Sequence, residues 1–291
     1  FLCGLLNSQP MGFYSPSMLI QDARRHGVSV LPPDVTASDW DSRLDENSAV
    51  RLGLRQISGL SKSAAERIAT VNRAPKEVPL GEKNHPFLNV SDLAARAGLQ
   101  RRDLDQLAAA DALQSLAGHR RQAAWAATAA VVQGDLFDAT PMREAPTELP
   151  EPNAGENLVA DYRSLNLTLR SHPLTLLRQP LAERRFVTAV DLKGTGHCAL
   201  VRAAGIVVGR QRPGTATGIV FVTLEDETGL VNVVVHPQLV EKQRRELLGS
   251  TLLGVYGQLQ IEGEVVHLVA KRLVNLSDWL GRLETSSRDF H

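Results

Sequence analysis

The chain has 291 residues, 43% of them hydrophobic and 22% charged, with Lys+Arg and Asp+Glu equal at 32. Those proportions exclude a disordered chain and one that binds nucleic acid by bulk charge alone, and no apolar run reaches the roughly eighteen residues of a membrane span. Cys3 and Cys198 stand far apart, which excludes a disulfide framework and makes a reducing cytoplasm the expectation.

The opening Phe1-Leu2-Cys3-Gly4 is apolar and lacks an initiator Met, so a piece of something larger is expected. Residues 1–45 predict two short helices and an extended exit. Pro16 suits a first helical turn, and Met18, Leu19 and Ala23 form an apolar stripe with Arg24 and Arg25 outside it. Gly27 is a C-terminal stop, and Pro32-Pro33 breaks the extended run that follows. Residues 46–132 read as one helical domain. Ser63-Ala64-Ala65-Glu66 has the form of a capping box, opening a helix that buries Ala65 and Ile68. Helices over 90–97 and 102–116 follow, joined by Gly98-Leu99-Gln100, and an Ala-rich helix carrying Trp125 runs from 119 to 132.

The composition then changes. Pro141, Pro146, Pro150 and Pro152 alternate with glutamates, which marks 133–160 as a stiff tether, with a connector over 161–198. From Asp135 to Asp161 seven acidic residues face Arg143 alone, a balance of −6. From Ala182 to Gly214 six basic residues face Glu183 and Asp191, a balance of +4. The neutral total hides an acidic tether beside a basic module.

Residues 199–275 alternate as strands over 200–208, 218–224, 230–235, 252–261 and 265–273, with a helix over 238–248 between the third and fourth. That order is the order of an OB-fold barrel, and 276–291 remain as a tail. The expected class is α+β and multidomain: a helical helix–hairpin–helix domain plus a five-stranded OB-fold β-barrel.

Three motifs could carry function. In Leu54-Arg55-Gln56-Ile57-Ser58-Gly59-Leu60-Ser61-Lys62-Ser63-Ala64, a tight Gly turn enters a helix. Gly59 would let the turn approach a phosphate, the N–H groups of Gly59 and of Ser61, Lys62, Ser63 and Ala64 could point at it, and Lys62 adds charge without reading a base. A plain turn between packed helices is the other reading. In the barrel, the loop after the first strand holds Arg210 and Arg212, suited to the backbone of a single strand, and Phe221 could stack on a base. Between Val220 and Val222, Phe221 reads more readily as core, and His236 is a weaker stacking candidate. Finally, Gln133-Gly134-Asp135-Leu136-Phe137 has the shape of a peptide that plugs a sliding-clamp pocket through Gln133, Leu136 and Phe137, or else of a frayed helix end folded back on its own domain.

Catalytic and metal constellations do not emerge: the histidines are scattered, and Asp39-Trp40-Asp41 has no third acid in a comparable strand.

The residues Leu6-Asn7-Ser8-Gln9-Pro10-Met11-Gly12-Phe13-Tyr14, Gly53-Leu54-Arg55-Gln56-Ile57-Ser58-Gly59-Leu60, Ser171-His172-Pro173-Leu174 and Phe221-Val222-Thr223-Leu224-Glu225-Asp226 resemble, in order, the error-prone, damage-inducible branch of the bacterial C-family DNA polymerases, relatives of the polymerase III alpha subunit. The resemblance implies the end of the fingers region over 1–45, a duplex-binding hairpin, and an OB module for single-stranded template. It also implies a clamp partner reached directly or through mutasome accessory proteins. The family's nucleotidyl transfer uses two Mg²⁺ ions on palm carboxylates that lie upstream of this stretch, so no catalytic residue, metal ligand or cofactor is expected in this chain, which should be inactive alone. A non-enzymatic DNA-binding adaptor built of the same two modules is the alternative, and a barrel that docks only protein is a third.

Overall fold

The computed structural model describes residues 1–12, 14–73, 86–130, 148–214, 218–263 and 265–281. They divide into two compact units, Phe1–Leu169 and Arg170–His291.

The first unit opens with α1 (Leu2–Asn7) and α2 (Pro16–Arg25), as the proline and the apolar stripe lead one to expect. The Ser15 side chain accepts a hydrogen bond from the Met18 N–H and caps α2. A small sheet follows, in which β1 (Val30–Leu31) runs parallel to β3 (Val50–Arg51), and β2 (Arg43–Leu44) runs antiparallel to β3. A 3-10 turn (Leu54–Gln56) leads to α3 (Lys62–Arg73), and α4 (Val90–Ala97), α5 (Arg101–Ala109), α6 (Gln114–Ala117) and α7 (Arg120–Ala130) complete a helical bundle. Its core contains Leu54, Ile68, Leu93, Leu104 and Leu107, each 0% exposed. Each such side chain contributes roughly 1.5–3 kcal/mol of burial.

Three expectations need correction. The helix after Gly59 begins at Lys62, with Ser61 as its cap, so Ser63 stands inside the first turn. The helix expected over 102–116 is broken: Asp111 has φ +59, and the Ala112 carbonyl accepts from Val35 N–H at 3.0 Å. The third concerns the tether and connector. Residues 154–165 form α8 (Ala154–Leu165), which packs in the first unit. Asn153 caps it in a capping box with Glu156, and Arg121 of α7 donates to both Glu156 oxygens at 2.8 and 2.7 Å. Deeper in, Arg120 donates to Asp161 Oδ1 at 2.6 Å, to Asn157 Oδ1 at 2.7 Å and to the Ala109 carbonyl at 2.8 Å. The acidic residues at 156 and 161 therefore neutralise arginines of α7, and at those two positions the polarity that resembled a solvated tether is internal pairing.

The second unit begins with α9 (Pro173–Glu183) and α10 (Ala189–Lys193). Its strands β4 (Leu200–Gln211), β5 (Val220–Glu225), β6 (Leu230–Val235), β7 (Leu252–Glu262) and β8 (Val265–Asn275) close into a barrel in the order β4-β5-β6-β8-β7. Of the barrel's strand pairs, β6 with β8 is the parallel one, the closure expected of this topology. The helix expected over 238–248 is two, α11 (Pro237–Lys242) and α12 (Arg244–Gly249), because Gln243 leaves helical geometry to pair its amide with the Leu273 N–H and C=O of β8 at 2.8 and 2.9 Å. Arg178 of α9 grips Glu227 in the β5–β6 turn through two hydrogen bonds. Burial alone would raise the Glu227 carboxyl, but this guanidinium, the residue's own backbone hydrogen bond and His172 together hold the group below its ordinary pKa. A short α13 (Asp278–Gly281) follows the barrel.

Candidate nucleic-acid interface

In the helical unit the candidate site is the turn at Gly59. Its φ of +81° is costly for any residue with a Cβ, and a Cβ there would also meet the Gln106 amide at 3.4 Å. Ser58 N–H donates to the Ser164 carbonyl at 2.7 Å and Leu60 N–H to Ile57 at 3.3 Å, so the turn is held from beneath. Ser61 Oγ accepts from Ala64 N–H at 3.2 Å. Ala64 is fully buried with its N–H so engaged, which removes it from the expected set of phosphate donors. The N–H groups of Gly59, Ser61, Lys62 and Ser63 have no acceptor among the described residues. All four residues are exposed. Open N–H groups at a helix start behind a glycine turn form an anion cradle. Lys62 lies beside it, paired with Glu66 at 3.7 Å with both side chains about two-thirds exposed (64% and 60%), an ion pair weak enough for a phosphate to displace.

A second turn of the same construction escaped the sequence reading. Gly98, at φ +58°, begins Gly98-Leu99-Gln100-Arg101 just as Gly59 begins Gly59-Leu60-Ser61-Lys62. The repeated Gly-Leu-polar-cation phrase was the signal.

In the barrel, β5 alternates from Val220 to Leu224. Val220, Val222 and Leu224 point into the core, which leaves Phe221 and Thr223 on the outer wall. The core reading of Phe221 is thus corrected: the ring is half-buried outside the barrel. Its neighbours in register are Gln211 on β4 and Val234 on β6, and the next row holds Thr223, Asn232 and His267. His267 is a further outer-face ring that the alternation of β8 could have revealed.

The two loop arginines separate. Arg210 lies on β4, which is longer than expected, and its role is structural: Nε donates to the Leu247 carbonyl at 2.7 Å and Nη2 to that of Ser250, stapling the end of α12 to the barrel. Partial burial lowers its pKa from the ordinary arginine value, though not enough to discharge a guanidinium. Arg212 is exposed beyond the strand end, near Gly218 and with no carboxylate partner among the described residues. His236 sits at the N-cap of α11, off the strand wall. Gln133, Leu136 and Phe137 lie outside the described residues.

The acid pair at 39 and 41 serves arginines. Asp39 accepts from Arg73 at 2.6 Å, and Asp41 from Arg55 at 2.8 Å.

Residues 27–123 match the family model described as a helix-hairpin-helix motif, and residues 201–276 match that of an OB-fold nucleic acid binding domain. The chain is 82% identical over its full length to the error-prone DNA polymerase of Dechloromonas aromatica, of which it spans 28%. It is 60% identical over its full length to that of Azoarcus sp., of which it spans 27%. Among solved structures, asparaginyl-tRNA synthetase from Pyrococcus horikoshii overlaps 32% of this chain and 23% of its own at 21% identity and a TM-score of 0.28, an overlap too partial to add to the assignment. From its first residue to its last, the chain is a relative of one segment of the error-prone DNA polymerases, built of a helix–hairpin–helix unit and an OB-fold.

Proposed function

We propose that this chain is the DNA-holding part of an error-prone DNA polymerase that acts in damage-induced translesion synthesis, gripping duplex at the Gly59 turn and single-stranded template on the Phe221 wall of the barrel. The observation that carries the duplex assignment is the set of unpartnered N–H groups at Gly59, Ser61, Lys62 and Ser63 beside a displaceable lysine. Contacts of that kind position a phosphate backbone and carry no sequence preference, which suits a protein that must track any duplex. The single-strand assignment is supported by an outward aromatic, Phe221, next to Arg212 at the strand end, the pairing of ring and cation on which unpaired bases stack.

The described carboxylates do not fit the two-metal site that polymerase chemistry uses. Asp39 and Asp41 are occupied by arginines, and among the described residues no group of three or more His, Cys, Asp or Glu is placed to hold an ion. In this reading the nucleotidyl transfer and its Mg²⁺ belong to other parts of the longer protein. A sliding clamp, reached through Gln133–Phe137 or through accessory proteins, belongs to the same proposal.

Fluorescence anisotropy on the 291-residue chain tests it, using a blunt duplex and an oligo-dT strand over a salt series. Lys62→Glu should weaken the duplex complex, and Phe221→Ala the oligo-dT complex by about 1–3 kcal/mol. A chain that binds neither ligand, or variants that leave both affinities and both salt slopes in place, would overturn the reading and leave the barrel as a protein-docking module.

A further inference from the structure

The barrel carries a second charged surface, on the β4–β7–β8 side of its wall and away from Phe221. Register places Arg202 of β4 beside Tyr256 of β7, and Tyr256 beside Arg272 of β8, in one outward row. The two guanidiniums lie over the Tyr256 ring, 4.7 and 5.5 Å from its centroid, while Phe186 meets the same ring edge-on at 5.6 Å. Arg202 also donates to the Arg184 carbonyl at 2.9 Å, and the Arg184 guanidinium rests 4.7 Å from the Trp279 ring centroid.

A bulge enlarges the row. The β7–β8 register slips between Tyr256 and Gly257, so that Tyr256 faces Arg272, Gly257 faces Ala270, and Lys271 is the extra residue. Ala270 and Leu273 point into the barrel, leaving Lys271 and Arg272 both exposed as consecutive cations. The slip depends on Gly257, since a Cβ there would lie 2.4 Å from the Val269 carbonyl oxygen. Among the described residues none of Arg184, Arg202, Lys271 and Arg272 is paired with a carboxylate. A glycine and a bulge thus bring like charges together and leave them uncompensated.

We infer that this row is a second nucleic-acid contact, one that grips the phosphodiester backbone of duplex DNA. The Tyr256 and Trp279 rings here already carry guanidiniums, with which an unpaired base would have to compete, whereas no cation lies over Phe221 among the described residues. They serve instead to fix the arginines in place and cut the side-chain entropy lost on contact. A surface of fixed cations whose rings are already engaged favours paired strands, whose bases are stacked on one another and whose phosphates are dense. The inference rests on the DNA-holding reading above but uses none of its residues.

The test is the anisotropy assay on the whole chain with the triple variant Arg202→Gln, Lys271→Gln, Arg272→Gln, with circular dichroism and thermal melting as controls for folding. The expected result is duplex affinity roughly tenfold weaker, a salt slope lower by about 2 to 3, and unchanged affinity for oligo-dT. Lys271→Glu alone, at an exposed residue without a partner, repeats the duplex effect at smaller size if the triple variant misfolds. Duplex affinity and slope that stay at the wild-type value in these variants overturn the inference, as does loss of binding to a poly-glutamate peptide with duplex binding intact. If the wild-type chain itself binds no DNA, the DNA-holding reading fails first, and if only Lys62→Glu and Phe221→Ala change binding, that reading stands and this one falls.

Discussion

The turns at Gly59 and Gly98 share a phrase and a geometry but not a surface. Both glycines take positive φ, at +81° and +58°, and both lead into a helix through a leucine, a polar residue and a cation. At the first turn the backbone donors stay open and Lys62 is held only by Glu66 at 3.7 Å. At the second, the donors ahead of the helix are engaged, and the open N–H groups are those of Arg101 and Arg102. Leu99 N–H donates to the Ala94 carbonyl at 2.9 Å, and Gln100 N–H donates to Asp103 Oδ2 at 3.1 Å. Arg101 is taken by Asp105 at 2.8 Å and by Thr128 at 3.0 Å, and Arg67 covers the Ala97 carbonyl at 2.7 Å. A repeated backbone device thus serves packing in one place and leaves an anion cradle in the other. The second turn differs in having two carboxylates beside it, Asp103 on the Gln100 N–H and Asp105 on Arg101.

The largest expected effect should abolish the contrast by loosening the bundle that carries both turns. Arg120 is 10% exposed at its side chain and ties α7 to the end of α5 and to Asp161 on α8. Arg120→Ala takes the guanidinium from a buried carboxylate that keeps its hydrogen bond from Thr168, and the expected loss of unfolding free energy is about 3–5 kcal/mol, read by urea denaturation. An unchanged midpoint would show that α8 does not anchor the helical unit. Next come the glycines themselves. Gly59→Ala and Gly98→Ala should each lower stability by about 1–2 kcal/mol, because each puts a Cβ into left-handed backbone. Only Gly59→Ala should also weaken duplex binding. If both variants weaken it equally, the second turn is also a phosphate site and the contrast is wrong.

How much of this was legible follows from what kind of contact makes it. The Gly59 turn could be read from the sequence because its signals are local: a glycine, a helix start and a cation within a few residues. The barrel could be read for the same reason, strand alternation and turn glycines being short-range patterns. The outward direction of Phe221 was legible too, since a two-residue period that buries Val220, Val222 and Leu224 must expose it. What misled was judging the ring by its sequence neighbours, which lie on the opposite face of a strand. By contrast, α8 was hidden because its acids and the prolines just before it read as solvated until Arg120 and Arg121, some 35 to 41 residues earlier, supply the counter-charges. Arg210 failed similarly, as its acceptors at 247 and 250 are main-chain carbonyls that no side-chain pattern reports.

Smaller effects separate charge from geometry. Lys62→Gln keeps a polar side chain and all the backbone donors but removes one cation. It should lower the duplex salt slope by about 0.9 and the affinity by a few-fold, whereas Arg101→Gln, whose charge is already paired with Asp105, should change neither. The smallest and most discriminating change is Asp103→Asn. An amide oxygen can still accept from Gln100 N–H, so the turn keeps its shape while losing a negative charge at the mouth of the second cradle. If carboxylate charge is what silences the Gly98 turn, duplex affinity should rise, by less than about twofold at ~0.1 M salt because Asp105 remains and exposed charges are screened. A rise that disappears near 1 M salt would identify the effect as electrostatic. No change at low salt would mean that the bonds made by Gln100 and Leu99, and not the charge, keep phosphate away from the second turn.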